Sequence, residues 1–268
     1  MTITQVDIDM IASRLRAAEQ TCQPSMPITE EFPGLSPADA YRIQRAFVAL
    51  RRRDEGARLA GRKIGATNPV IQRLLGVDTP DFGHLLDSMV LDDGAHIPAG
   101  RLIQPRVEAE IAFCLADGLR GPGVRARDVL LATRGVSASL EIIDSRIEDW
   151  RISFGDTVAD NGSSALAVVG TAVLPVTGVD LRTVGVVLER NGAVVETGAG
   201  AASLGHPARA VAWLANALAE FDEALEPGQI VLSGALTGAP LVSPGDVFVA
   251  HFSWLGSVTC TFEEDQRA

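Results

Sequence analysis

Between residues 4 and 20 apolar side chains return at helical spacing. Val6, Met10, Ile11, Leu15 and Ala18 lie near one stripe, which predicts an opening helix. Residues 21–35 hold three prolines and a glycine and read as a loop. Ser36 then offers an N-cap and Pro37 a first helical position for a second helix that ends near Gly56. From residue 57 the pattern changes to short β-rich runs punctuated by Gly and Pro. These predict strands at 59–64, 107–115, 138–144, 165–172, 184–190, 193–199, 229–233, 246–253 and 256–262. Two pairs of runs read as hairpins, one turning at Asn191-Gly192 and the other through SWLG. Helical spacing interrupts the strands at 69–76, 126–133 and 207–221. The last of these sets Ala210, Val211, Leu214, Ala217 and Leu218 on one face.

The expected fold class is therefore α+β: a helical N-terminal section, 1–56, before a β-rich core, 57–268. The 268 residues suffice for one large domain with a sizeable core. There is no internal repeat. No G-x-G-x-x-G opens a helix after the first strand and there is no P-loop, so a nucleotide cofactor is not supported.

The formal charge of −11 gives no global attraction for a phosphate backbone, which argues against nucleic-acid binding. No apolar run is long enough to span a bilayer, and the first 20 residues lack a compact apolar stretch of the signal-peptide kind. Cys22, Cys114 and Cys260 form no C-x-x-C pair. Together these features predict a cytoplasmic protein with idle thiols. Of the 23 basic residues only Lys63 is a lysine. Arginine does not lose its proton in a protein, so a site that needs a titratable amine must use lysine. The basic run Arg51, Arg52, Arg53 reads as a solvated helix end that suits the helix dipole.

Candidate chemistry collects in five places. In QPRVEAEIAF, strand alternation puts Val107, Ala109, Ile111 and Phe113 on one face and Glu108 and Glu110 on the other. Carboxylates at i and i+2 sit roughly 7 Å apart at the backbone and can converge on one hard cation. The same pattern also suits an acidic, solvent-facing strand. In ASLEIIDSRIEDW, Glu141 and Asp144 have apolar surroundings. A salt bridge to Arg146 would account for Asp144, whereas Glu141 has no adjacent partner and is the better third ligand. In DTVADNGSS, Asp160, Asn161, Ser163 and Ser164 form a polar loop able to offer donors to a substrate carboxylate, or a plain turn. Lys63 lies in a mostly apolar strand and wants a carboxylate or a ligand. Asp81, between Pro80 and Phe82, has the partly apolar setting that raises a carboxyl pKa and suits proton transfer.

These segments occur in a telling order: GRKIGATNPVIQRLLGVDTPDFGHL, LIQPRVEAEIAF, LEIIDSRIEDWRISFGDTVADNGSS, NGAVVETGAGAASLGHPARAVAWLAN, PGQIVLSGAL and PGD. From Tyr41 to Phe262 the chain resembles the 2-keto-4-pentenoate hydratase family of the fumarylacetoacetate hydrolase superfamily. The resemblance implies a fumarylacetoacetase C-terminal-like mixed β-fold. It implies Mg²⁺ or Mn²⁺ held by Glu108, Glu110 and Glu141, an active-site lysine at Lys63, an active-site aspartate at Asp81 and a substrate-binding serine at Ser163. One departure is visible: Gly162 stands where relatives commonly have alanine, which suggests a looser loop.

The implied reaction is hydration of 2-hydroxypenta-2,4-dienoate, or a longer homologue, to a 4-hydroxy-2-oxoacid. It belongs to the meta-cleavage degradation of aromatic or steroid rings. Three glutamates and one divalent ion leave −1, which a cationic Lys63 brings to neutral before an anion enters. Alternatives are a 4-oxalocrotonate decarboxylase on the same scaffold, an acylpyruvate hydrolase and a non-catalytic partner subunit. The hydrolase wants a His-Glu pair, and none of the four histidines sits in a matching motif. A homo-oligomer and association with a pathway aldolase or decarboxylase are further expectations.

Overall fold

The computed structural model describes residues 3–264 except 69–71, 74, 75 and 99. The helix expected at 69–76 lies largely outside the described residues. Two helices and one short turn of helix come first: α1 (Gln5–Thr21), α2 (Ile28–Glu31) and α3 (Pro37–Glu55). Thr4 caps α1 by accepting from Asp7 N–H, Ser36 caps α3 through Asp39 N–H, and Gly56 ends α3 in the left-handed conformation. The loop expected at 21–35 thus contains α2, and Ser25 within it bridges to Ile147. The remaining elements are β1 (Leu59–Gly65), β2 (Asp81–Leu86), β3 (Val90–Asp92), β4 (Ala95–Ile97), β5 (Arg106–Leu115), α4 (Ala126–Ala132), β6 (Thr133–Ile143), α5 (Phe154–Ala159), β7 (Ser164–Val169), β8 (Gly185–Arg190), β9 (Ala193–Ala199), α6 (Pro207–Ala219), β10 (Ile230–Leu232), β11 (Val247–Phe252) and β12 (Gly256–Phe262).

A seven-stranded mixed sheet runs β2-β1-β10-β5-β6-β7-β3, and a five-stranded sheet runs β4-β12-β11-β8-β9. β1 and β10 are parallel, as are β3 and β7; β5 and β6 form a long antiparallel pair. The large sheet curls until β2 touches β7, which gives it a concave face. On its other face Val107, Ala109, Ile111 and Phe113 are fully buried, in one core with Ile11, Leu15, Ile43 and Phe47 of α1 and α3. β11 and β12 of the second sheet pack against β6.

Three strands went unseen in the sequence: β2, β3 and β4. β2 follows a proline and carries Gly83, so it lacks the β-branched run that marks a strand. β3 and β4 are three residues each, too short for a period to register. The basic run at the end of α3 is also partly revised. Arg51 is only 5% exposed and turns inward to Glu19 of α1 and Glu55, while Arg52 and Arg53 remain outside.

Candidate active site

The β5–β6 register places Glu108 directly opposite Glu141, and Glu110 opposite Ser139. Paired positions share a face, so the three carboxylates project together into the concave side of the large sheet. One oxygen from each lies within 4.8 Å of the others. Glu110 and Glu141 are fully buried, whereas Glu108 is partly open to solvent. Glu110 Oε2 accepts from Gly234 N–H at 2.7 Å, but Glu110 Oε1 and both Glu141 oxygens are buried without a hydrogen-bond partner. Buried carboxylate oxygens that converge without hydrogen-bond partners, with the Lys63 ammonium at one edge, call for a further cation. An all-oxygen donor set of this kind fits a hard divalent ion such as Mg²⁺ or Mn²⁺. Burial and mutual repulsion with Glu141 lift Glu108 to about 7, and the same causes raise Glu110 well above the carboxylate range.

Lys63 reaches this face from β1, two strands away across β10, where it pairs with Leu232. It is 3% exposed; its Nζ lies 3.5 Å from Glu141 Oε2 and donates to the Gly162 carbonyl at 2.8 Å. Burial opposes its charge, but Glu141, Asp81, Glu108 and Glu110 outweigh that and hold the ammonium above its ordinary range. Asp81 opens β2 opposite Gly65. A side chain at Gly65 would fall 2.4 Å from Asp81 Oδ1, so the glycine makes room for the carboxylate. Burial raises the Asp81 pKa against the opposing pull of Lys63. The position of a Cβ on Gly162 would lie 3.0 Å from Asp81 Oδ1 and 3.3 Å from Lys63 Nζ, so amine and carboxylate flank one spot. On the same face Leu85, Ala112, Ala167 and Leu232 belong to a small apolar cluster that also takes in Val48 of α3.

Five of the six residues singled out in the sequence therefore line one face. The sixth, Ser163, is buried nearby, with its hydroxyl 3.3 Å from Thr157 Oγ1 and its carbonyl accepting from Asp144 N–H. The segment expected to be a polar loop is helical at α5 and then turns tightly. Gly162 does not loosen it: at φ +61° it adopts a conformation that costs glycine little, packed against Lys63 and Asp81. The expected Asp144–Arg146 salt bridge is absent. Asp144 accepts from the Ile103 and Gln104 N–H groups instead. Arg146, 1% exposed, pairs with Asp160 and donates to the carbonyls of Asp160 and Ser164. Sequence reasoning missed this pair because its members are 14 residues apart with a helix between them. It also missed Gly234, whose backbone N–H has no sequence signal. The one His-Glu approach among the described residues, His251 to Glu189, lies on the five-stranded sheet, away from the carboxylates.

Residues 74–263 match the family model described as the C-terminal domain of fumarylacetoacetate hydrolase. Over 255 residues, 95% of this chain and 94% of the relative, the sequence is 46% identical to a 2-keto-4-pentenoate hydratase of Paraburkholderia xenovorans (strain LB400). The chain belongs to the 2-keto-4-pentenoate hydratase family. A 2-hydroxyhexa-2,4-dienoate hydratase of Comamonas testosteroni is 42% identical, across 96% of this chain and 98% of its own. Among solved structures, the 4-oxalocrotonate decarboxylase of Pseudomonas putida G7, complexed with magnesium and adipate, superposes with a TM-score of 0.93 at 39% identity. That match covers 97% of this chain and 99% of the decarboxylase. The hydratase-family fold expected from the sequence is thus the one found. No helix among the described residues is long and apolar enough to cross a membrane.

Proposed function

We propose that this hydro-lyase adds water to 2-hydroxypenta-2,4-dienoate or a homologue with a longer tail, giving the 4-hydroxy-2-oxoacid. The observation that carries the reading is the cluster of Glu108, Glu110 and Glu141 with Lys63 at its edge, in a chain 46% identical to a named hydratase. Glu108, Glu110 and Glu141 would hold the divalent ion, which would supply Lewis-acid polarisation of the substrate's C2 oxygen. The chain's own groups then move protons. A proton leaves the C2 hydroxyl and one arrives at C5, giving the 2-oxo-3-enoate. Water next adds its oxygen to C4, and a proton reaches C3. Lys63 and Asp81 are the candidates for these transfers and for orienting the water: the raised pKa of Asp81 suits it to exchange a proton, and the Lys63 ammonium stands beside it as a hydrogen-bond donor. Ser163 and nearby backbone N–H groups would steady the substrate carboxylate. Residues 57–268 carry every group named here, and α3 of the 1–56 section packs against α5 and β2.

A second reading, 4-oxalocrotonate decarboxylation, is favoured by the TM-score of 0.93 to such an enzyme. The two differ after the first tautomer: loss of CO₂ instead of gain of water. The test uses chelator-stripped protein with Mg²⁺ or Mn²⁺ restored. Metal-dependent loss of the dienol absorbance with gain of one water by mass supports the hydratase. CO₂ release from 2-oxohex-3-enedioate without hydration of the dienol moves the assignment to decarboxylase. A homo-oligomeric, cytoplasmic enzyme that associates with a pathway aldolase or decarboxylase completes the proposal; sizing by light scattering, alone and with such a partner, tests its assembly.

A further inference from the structure

Three consecutive residues after α5 have left-handed backbones: Asn161 at φ +58°, Gly162 at +61° and Ser163 at +53°. Only glycine adopts this conformation freely; asparagine tolerates it and serine does so at a cost. Such strain persists only where the surroundings over-determine it, and it concentrates at functional sites. The restraint is visible. Asn161, 1% exposed, accepts from His84 N–H through Oδ1 at 2.7 Å and donates through Nδ2 to the His84 carbonyl at 2.9 Å. β2 is the end strand of the large sheet, so the amide supplies to its free edge the pair of bonds a neighbouring strand would make. The approach is close: a side chain at Gly83 would fall 2.4 Å from the Asn161 carbonyl oxygen. From below, Arg146 grips Asp160 at the start of the turn.

The product of this clamping is the direction of one carbonyl. Gly162 O accepts a hydrogen bond from the Lys63 ammonium at 2.8 Å, while the same nitrogen stands 3.5 Å from Glu141. An ammonium has three donors on a flexible stem, so its aim depends on its acceptors. We propose that Asn161 is a positioning residue: by fastening the left-handed turn to the β2 backbone at His84, it holds the Gly162 carbonyl that aims the Lys63 ammonium beside Asp81. The inference rests on the proton-transfer roles proposed above for Lys63 and Asp81.

The test separates clamp from strain. Asn161→Gly keeps a left-handed backbone at no steric cost and removes the amide; Asn161→Ala removes both. The readouts are hydration kcat and KM, the Mg²⁺ concentration for half-maximal activity, and Mg²⁺-dependent exchange of C3 protons of 2-oxopentanoate for solvent deuterium. The expected result for both variants is a loss of about 10-fold or more in kcat and in exchange rate, the scale on which small displacements of a reacting group act. KM and the Mg²⁺ requirement should move less than about threefold. Asn161→Gly with wild-type kcat and exchange overturns the proposal, even if its melting temperature falls. If Asn161→Gly does not fold, Asn161→Asp, which keeps the acceptor for His84 N–H at equal size, takes its place, and wild-type turnover there overturns the proposal too. Failure of the wild-type protein itself to exchange, or full exchange by Lys63→Arg, overturns the Lys63 role and the positioning of Lys63 with it.

Discussion

Lys63 and the three glutamates depend on each other for their charge. Buried glutamates repel one another and take up protons; a buried lysine among them stays charged. Lys63→Arg preserves the charge but not a proton that can leave, and the guanidinium fork does not fit a point-like ammonium site. The expected outcome is a fall in kcat of about 10² or more with Mg²⁺ dependence retained. Near-normal steady-state kinetics would remove Lys63 from the proton path. Glu110→Ala takes away one of three converging oxygens and frees Gly234 N–H. Activity should fall about 10²-fold or more and cease to respond to Mg²⁺, while far-ultraviolet circular dichroism stays unchanged. A variant that still turns over with added Mg²⁺ like the wild type would dismiss Glu110 as a ligand.

At the level of elements, β5 and β6 set the site, because their antiparallel register alone decides that Glu108 faces Glu141. A slip of β5 by one residue would send Glu108 and Glu110 into the apolar core while Glu141 stayed where it is. α5 and the turn after it contribute through the Arg146–Asp160 pair, both members fully buried. Replacing one partner of such a pair strands the other charge. Arg146→Met should therefore destabilise the fold by about 3–5 kcal/mol. The double change Arg146→Met with Asp160→Asn should recover part of that loss, as read by urea unfolding. If the single variant is as stable as the parent, the pair is not what secures the turn.

For the whole molecule, the site couples stability to pH and metal. A carboxyl whose pKa rises on folding keeps its proton where the unfolded chain has lost it. Its contribution to stability therefore falls as pH climbs from the ordinary carboxylate range through about 7, the value reached by Glu108. A divalent ion binds the ionised forms and offsets that loss. Chelated protein should lose melting temperature between about pH 5 and about pH 8, and the rise caused by Mg²⁺ should grow over the same interval. An Mg²⁺ increment that is flat with pH, measured by scanning calorimetry, would show that these carboxylates do not take the ion.

Much of this was legible along the chain because it depends on local periodicity or on residue type. The existence of α1, the capped helix α3, the Asn191-Gly192 hairpin, the two-faced β5 and the singular lysine follow from neighbours close in sequence, although α1 buries Ile8 and Ala12 and exposes Val6 and Met10, which the apolar spacing places on its stripe. The segments that carry Lys63, Asp81, Glu108, Glu110 and Glu141 also stand in the order shared with the hydratase family. What the sequence left open depends on long-range register and close approach. Strand β2 is hidden by its glycine, yet that glycine exists because the Asn161 backbone passes over it. Arg146 chose Asp160 over Asp144, since a turn folded back on β6 brings the farther residue nearer. Glu141 meets Lys63 across three intervening strand pairings. Only the curl of the large sheet brings such groups to one point, because hydrogen-bond register, not sequence distance, sets which side chains meet.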